Sequence, residues 1–195
     1  MNAMYDLLCS IVIGGILLLM LVGFNGTITE QAGAQTVRMM AQSSLTTIGD
    51  LVDYEFRKMG YQVPKGTDSA IVFADTSKIT FKADIDNDGT VDILTYELDS
   101  SPSHNANTKT HYLYRTKNGQ TELINLGLTQ FRITYYDASG KQLTSYPIQR
   151  PSKIKSIKIA MNAESLVPYI ERSENYLKAS PGAYWEQTIK PRNIR

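Results

Sequence analysis

From Leu7 to Phe24 the chain carries no charged residue, reading Leu7-Leu8-Cys9-Ser10-Ile11-Val12-Ile13-Gly14-Gly15-Ile16-Leu17-Leu18-Leu19-Met20-Leu21-Val22-Gly23-Phe24. As a helix rising about 1.5 Å per residue it spans roughly 27 Å, just short of the ~30 Å hydrocarbon core of a bilayer. From Val37 the pattern changes. Apolar residues recur at Val37, Ala41, Leu45, Ile48, Val52, Phe56 and Met59, in steps of three and four, which predicts a helix with one apolar face laid against a globular domain. Asp50, Asp53, Glu55, Arg57 and Lys58 are assigned to its other positions. Gly60 suits the left-handed stop, and Pro64 follows. One long helix from Leu7 to Gly60 is therefore expected, its first half an anchor and its second half part of a fold.

The anchor reads as retained. A cleaved signal peptide starts with Lys or Arg, has a shorter apolar core and ends at a small-residue site, whereas the first 37 residues here contain no Lys or Arg. With no base before Arg38, the positive-inside rule has nothing to count. Asp6 lies at the edge of the anchor, where a carboxylate needs a cation or the interface. Gly14, Gly15, Gly23, Gly26 and Gly33 are many for one helix, given a cost of up to ~1 kcal/mol each against alanine. In lipid, small residues permit close helix contacts. The run Gly23-Phe24-Asn25-Gly26-Thr27 is the easiest place for this helix to unwind or bend.

Of the 195 residues, about 170 remain beyond the anchor, enough for one domain with a real core. The net charge is +1 with scattered bases, so no nucleic-acid surface is expected. The single cysteine, Cys9, excludes an intrachain disulfide and a cysteine-based metal site.

Beyond Pro64 the period changes from helix to strand. Short β-rich runs are predicted at Ala70–Ala74, Lys78–Ala83 and Val91–Leu98. Pro102–Thr110 reads as an exposed loop. His111–Thr116 and Thr121–Leu126 flank Asn118-Gly119, a strong hairpin signal. Leu128–Tyr136 and Ile154–Ala163 alternate apolar with polar residues, with a suspected bulge at Ser156. Ala183–Arg195 could add an edge strand, where Pro191 is tolerable. The class is α+β: a helix over 1–60 packed on an antiparallel sheet domain over 61–195.

The sharpest local motif is Asp84-x-Asp86-x-Asp88-Gly89-x-x-Asp92. Alternate aspartates on a tight turn gather hard oxygens, matching positions one, three, five, six and nine of a calcium loop. Position twelve is Thr95 rather than glutamate, and the flanks read as strands, so the expectation is weak calcium binding on a hairpin turn, in the ~0.1–1 mM range. No catalytic motif stands out. His104 and His111 read as surface residues, and the chain is not expected to be an enzyme.

An apolar helix that becomes amphipathic and is covered by an antiparallel sheet resembles the type IV pilin-like proteins, most closely a minor pseudopilin of the PilW or J type. Three stretches carry the resemblance: Asp50–Tyr61, with its Arg57-Lys58-Met59-Gly60-Tyr61 end; Ile79–Asp92 followed by Leu94-Thr95-Tyr96; and Pro191-Arg192-Asn193. The family's aromatic-Thr-Leu-x-Glu anchor start is not in this sequence, and Asp6 stands in for its glutamate. The resemblance implies a structural subunit, held in the bacterial inner membrane before assembly and then in a periplasmic pseudopilus or extracellular filament. Its partners would be pilin-like subunits, met through the N-terminal helix by Asp6, Gly14, Gly15, Gly23 and Gly26. The alternative is a monomeric, membrane-tethered binding module.

Overall fold

The structure, a computed structural model, describes residues 2–64, 69–166, 172–173, 176–177, 182–191 and 193–194. Helix α1 runs unbroken over Asn2–Arg57, 56 residues and so about 84 Å long. The helix does not unwind at Gly23–Thr27. Asn25 Nδ2 donates to Leu21 O, Thr27 Oγ1 to Gly23 O and Thr29 Oγ1 to Asn25 O. These polar side chains fold back onto carbonyls one turn earlier, which keeps their donors occupied without breaking the helix. The helix ends earlier than Gly60, and the chain leaves through a turn in which Gly60 takes φ +76° and donates its N–H to Lys82 O at 2.9 Å.

The sheet follows in chain order: β1 Ile71–Ala74, β2 Lys78–Ala83, β3 Asp92–Pro102, β4 His111–Lys117, β5 Gln120–Tyr136, β6 Gln142–Leu143, a 3₁₀ turn at Pro151–Lys153, β7 Ser156–Ala163, then β8 Arg172–Ser173, β9 Tyr176–Leu177 and β10 Ala183–Ile189. One curled antiparallel sheet has the order β1-β2-β3-β4-β5-β7-β10, with β6 against β5, and β8 and β9 pair separately. The long helix packed on this sheet is the expected α+β fold. β10 lies at an edge, and Pro191 falls beyond it. The β4–β5 hairpin turns at Asn118 (φ 51°) and Gly119 (φ 85°), both left-handed as a two-residue type I′ loop requires.

Three differences from the expected strands have physical causes. Thr121–Leu126 and Leu128–Tyr136 are one strand, β5, irregular at Gly127, where φ is +74° and the register against β4 shifts; the register against β7 shifts just beyond, between Leu128 and Gln130. The suspected bulge at Ser156 is the strand's entry: Ile154 leaves the 3₁₀ turn buried, and β7 pairs Ser156 with Tyr136 and Ile157 with Tyr135 in regular register. Pro102 belongs to β3, and the loop after it is tied down. Ser103, Asn107 and Thr110 are buried; Asn107 Nδ2 donates to Glu164 Oε2 and Ser165 O, and Ser103 N–H donates to Thr110 O. Polar composition predicts exposure only where the polar groups have no protein partner.

The predicted helix face is the one the sheet covers. Ala41, Leu45, Ile48, Val52, Phe56 and Met59 are buried, with Phe56 set against the rings of Phe81 and Tyr96 at 5.3 and 5.5 Å. The opposite wall is the inward set of the strands, among them Ile79, Leu94, Leu113, Phe131, Ile133, Ile159 and Met161. β5 continues past the end of β4, and its free edge is covered there: Ile133 N–H donates to Thr76 O in the β1–β2 turn, and β6 pairs Tyr135 and Tyr136.

Glu55 departs from its predicted place on the polar face. It is 1% exposed, on the stripe Val52-Glu55-Phe56-Met59. Its carboxylate accepts from Arg115 Nε at 3.1 Å, from Arg115 Nη2 and from the Tyr96 hydroxyl. Arg115 also reaches Glu122 Oε2 at 2.9 Å. The hydrogen bonds to Glu55, and then its charge, raise the Arg115 guanidinium's pKa further. Burial, then Glu55's charge, pushes Tyr96 well above the ordinary tyrosine value, and burial does the same to Tyr135.

These tyrosines give the fold an alkaline limit. In the unfolded chain they lose protons near pH 10, while the folded chain keeps them. Stability is therefore whole below pH 10 and falls above it, by up to about 1.4 kcal/mol per pH unit for each tyrosine. Thermal melting of the full chain in detergent should be level from pH 8 to 9.5 and drop by pH 11. Tyr135→Phe should flatten the drop, and a melting temperature unchanged at pH 11 would contradict the reading.

Candidate assembly helix and metal centre

The first part of α1 stands clear of the rest of the chain. Residues from Ala3 to Phe24 are exposed, including Leu7, Ile11, Leu18, Leu19 and Phe24, and the continuous burial begins only at Ala41. The helix is long and apolar enough to cross a membrane. Asp6 sits exposed in its first turns, its backbone carbonyl accepting from Ser10 Oγ. A Cβ added at Gly14, Gly15, Gly23 or Gly26 would meet nothing within 4 Å. Other glycines have reasons inside the chain: a Cβ at Gly49 would lie 2.7 Å from Trp185 Nε1, and one at Gly60 2.5 Å from Asn193 O. Nothing within the described fold accounts for the four anchor glycines.

The aspartate turn joins β2 to β3. Asp84 N–H donates to Tyr61 O, which ties the start of the turn to the end of the helix. Asn87 and Gly89 take φ of 61° and 87°, and Asp88 Oδ1 accepts from Thr90 N and Oγ1, so the backbone doubles back tightly. Asp84, Asp86 and Asp88 come together: each offers a carboxylate oxygen, and these lie within 4.8 Å of one another. This cluster could hold a metal ion.

Asp92 stands apart from that group. It is 3% exposed, accepts from Ile85 N–H at 3.1 Å and Asn118 Nδ2 at 2.7 Å, and so braces the turn. Thr95 points elsewhere, to Thr80 Oγ1 at 2.9 Å. The chain matches no family model and no curated protein. Of the Pro191-Arg192-Asn193 stretch, Arg192 lies outside the described residues.

Two lysines that the sequence did not flag attend the turn. Lys117 Nζ lies 2.6 Å from Asp86 Oδ2 and 3.3 Å from Asp92 Oδ2. That hydrogen bond holds the Asp86 carboxyl below its ordinary value and raises the lysine. Lys58 Nζ donates to Ile85 O at 2.6 Å and Asn87 Oδ1 at 3.0 Å, and lies 4.8 Å from the Tyr54 ring centroid. Lys58 could have been suspected from its place just after the helix, but Lys117 is 31 residues from Asp86 and only the β3–β4 register brings them together. The histidines lie at the far end of the same strands: His111 pairs with Pro102, and His104 stacks on Tyr112 at 6.4 Å.

Proposed function

We propose that this chain is a filament subunit of the type IV pilin-like kind, stored in the bacterial inner membrane by its apolar helix and assembled through that helix into a pseudopilus or extracellular fibre. One observation carries the reading. The anchor and the domain share a single uninterrupted helix, whose exposed half is apolar all round and holds glycines with no packing role inside the chain. A tethered module needs only a flexible link between anchor and domain. A rigid joint instead fixes the orientation of every domain relative to its anchor, which a repeating lattice requires. Head-to-tail contacts that do not close generate open filaments.

In this reading the anchor leaves lipid for a bundle of like helices, where Gly14, Gly15, Gly23 and Gly26 allow close backbone approach. Asp6 pairs there with a neighbour's amine, which offsets the loss of its hydration. Calcium is the ion assigned to Asp84, Asp86 and Asp88, since carboxylate oxygens are hard ligands and extracellular calcium sites work at ~0.1–1 mM. Electron microscopy of material sheared from cells, with the chain identified by mass spectrometry, tests the proposal. Fibres containing the intact helix are expected from the natural chain. Asp6→Ala, or exchange of the anchor for an unrelated apolar helix, should abolish them while the sheet domain stays folded. Normal fibres from both variants, or a chain found only in membranes, would favour the tethered module.

A further inference from the structure

Resting on the reading that the aspartate turn takes calcium, we propose that the ion enters by exchange with the Lys117 ammonium, so that Lys117 sets the affinity of the site. The need for positive charge in the turn begins at one atom of Asp84. Asp84 is fully buried, and its Oδ2 accepts Gly89 N–H at 3.0 Å, but its Oδ1 has no hydrogen-bond partner among the described residues. A buried carboxylate oxygen without a donor has lost its hydration with nothing in return. The carboxylates of Asp86 and Asp88 share the same small space, so like charges add to that cost. A cation seated between the three answers both.

Lys117 is the cation paired with the carboxylates of the turn, and it serves atoms other than Asp84 Oδ1. It holds Asp86 Oδ2 at 2.6 Å and Asp92 Oδ2 at 3.3 Å, on the side of the β4–β5 hairpin. To ligate an ion together with Asp84, Asp86 must release it. Lys117 then has somewhere to go, because Asp92 is nearly buried and keeps its bonds to Ile85 N–H and Asn118 Nδ2 throughout. The ammonium settles on Asp92 instead of being shared, and no buried charge is left alone. Lys58 is not displaced: it binds a backbone carbonyl and the Asn87 amide oxygen, so it steadies the turn from the helix end.

The oxygens, within 4.8 Å of one another, are close enough to share one calcium ion, on which opposed ligands at about 2.4 Å each stand up to about 4.8 Å apart. Backbone oxygen and water complete the shell.

The experiment is calcium titration calorimetry on the full chain in detergent, with terbium luminescence as a second probe of the same site. Lys117→Gln should bind calcium about tenfold more tightly than the natural chain. Lys78→Gln changes the net charge equally but removes a partner of Glu97 (2.8 Å) at the other end of β2, and should leave affinity within about twofold. Asp84→Asn and the exposed Asp88→Asn should each weaken binding more than tenfold, Asp88→Asn serving if the buried change disturbs folding. Calcium binding that is unchanged or weaker in Lys117→Gln, or equally tightened by Lys78→Gln, overturns the exchange and leaves the calcium site standing. No binding by the natural chain or by Lys117→Gln overturns both, as does binding indifferent to Asp84 and Asp88.

Discussion

Replacing Glu55 by alanine should lower the stability of the domain by about 3–5 kcal/mol, the usual consequence of removing one partner from a buried ion pair. The loss comes from what stays behind. Arg115 is 9% exposed, and its Nε and Nη2 both point at Glu55, so in Glu55→Ala those donors face a cavity. Glu122, bound to Nη1, is itself largely exposed and compensates little. The Tyr96 hydroxyl, buried against Phe56 and Phe131, loses its acceptor as well. Thermal melting in detergent should register a fall of roughly 10–20 °C. Glu55→Met combined with Arg115→Met removes both charges and keeps the volume, and should recover most of the loss. A double variant as unstable as the sum of the singles would mean that the pair holds the helix by something other than charge.

Gly127→Ala should cost about 2–4 kcal/mol, more than a left-handed glycine alone explains. Its φ is +74°, which by itself costs an alanine roughly 1–2 kcal/mol. In addition the new Cβ would sit 2.1 Å from Glu164 O, a backbone atom held in place because Glu164 N–H donates to Gly127 O at 2.8 Å. The next residue, Leu128, is paired on both edges, with His111 of β4 and Ala163 of β7, so the chain beside Glu164 is held close. Gly140→Ala separates the two effects. Gly140 also has positive φ, at 81°, but a Cβ there meets nothing within 4 Å, so it should show the strain without the collision. Equal losses of denaturation free energy in the two variants would remove the collision from the account.

The helix was legible because its evidence is local. An uncharged run of membrane length and a three-and-four spacing are properties of neighbouring residues, and both the rod and its buried face appear where that spacing puts them. Lys78–Ala83 and the Asn118-Gly119 hairpin were legible for the same reason: alternation and turn chemistry act within a few residues. Glu55 shows where the local pattern was read too coarsely. It lies three residues from Val52 and four from Met59, on the buried stripe, and its charge class hid its position. Arg115 lies two residues from the inward Leu113 on β4, on the same face of the strand, and carries the matching signal. Neither residue announces the other across a separation of 60 residues.

The candidate metal site divides in the same way. Asp84, Asp86 and Asp88 are recognisable as a group because alternate residues on a tight turn must come close, whatever the rest of the chain does. Asp92 belongs to the same motif by spacing, yet Asn118 and the Ile85 amide draw it into bracing the turn, and Thr95 is carried away by strand β3.

The apolar helix of membrane length, the amphipathic helix, the α+β class and the acidic turn follow from the sequence alone, because each rests on short-range periodicity, turn preference or clustered charge. Tertiary structure alone decided the Glu55–Arg115–Tyr96 lock, the irregularity of β5 at Gly127 and the seat of Lys117 between Asp86 and Asp92. Those depend on which strand lies beside which, and strand register is set by the whole buried face at once.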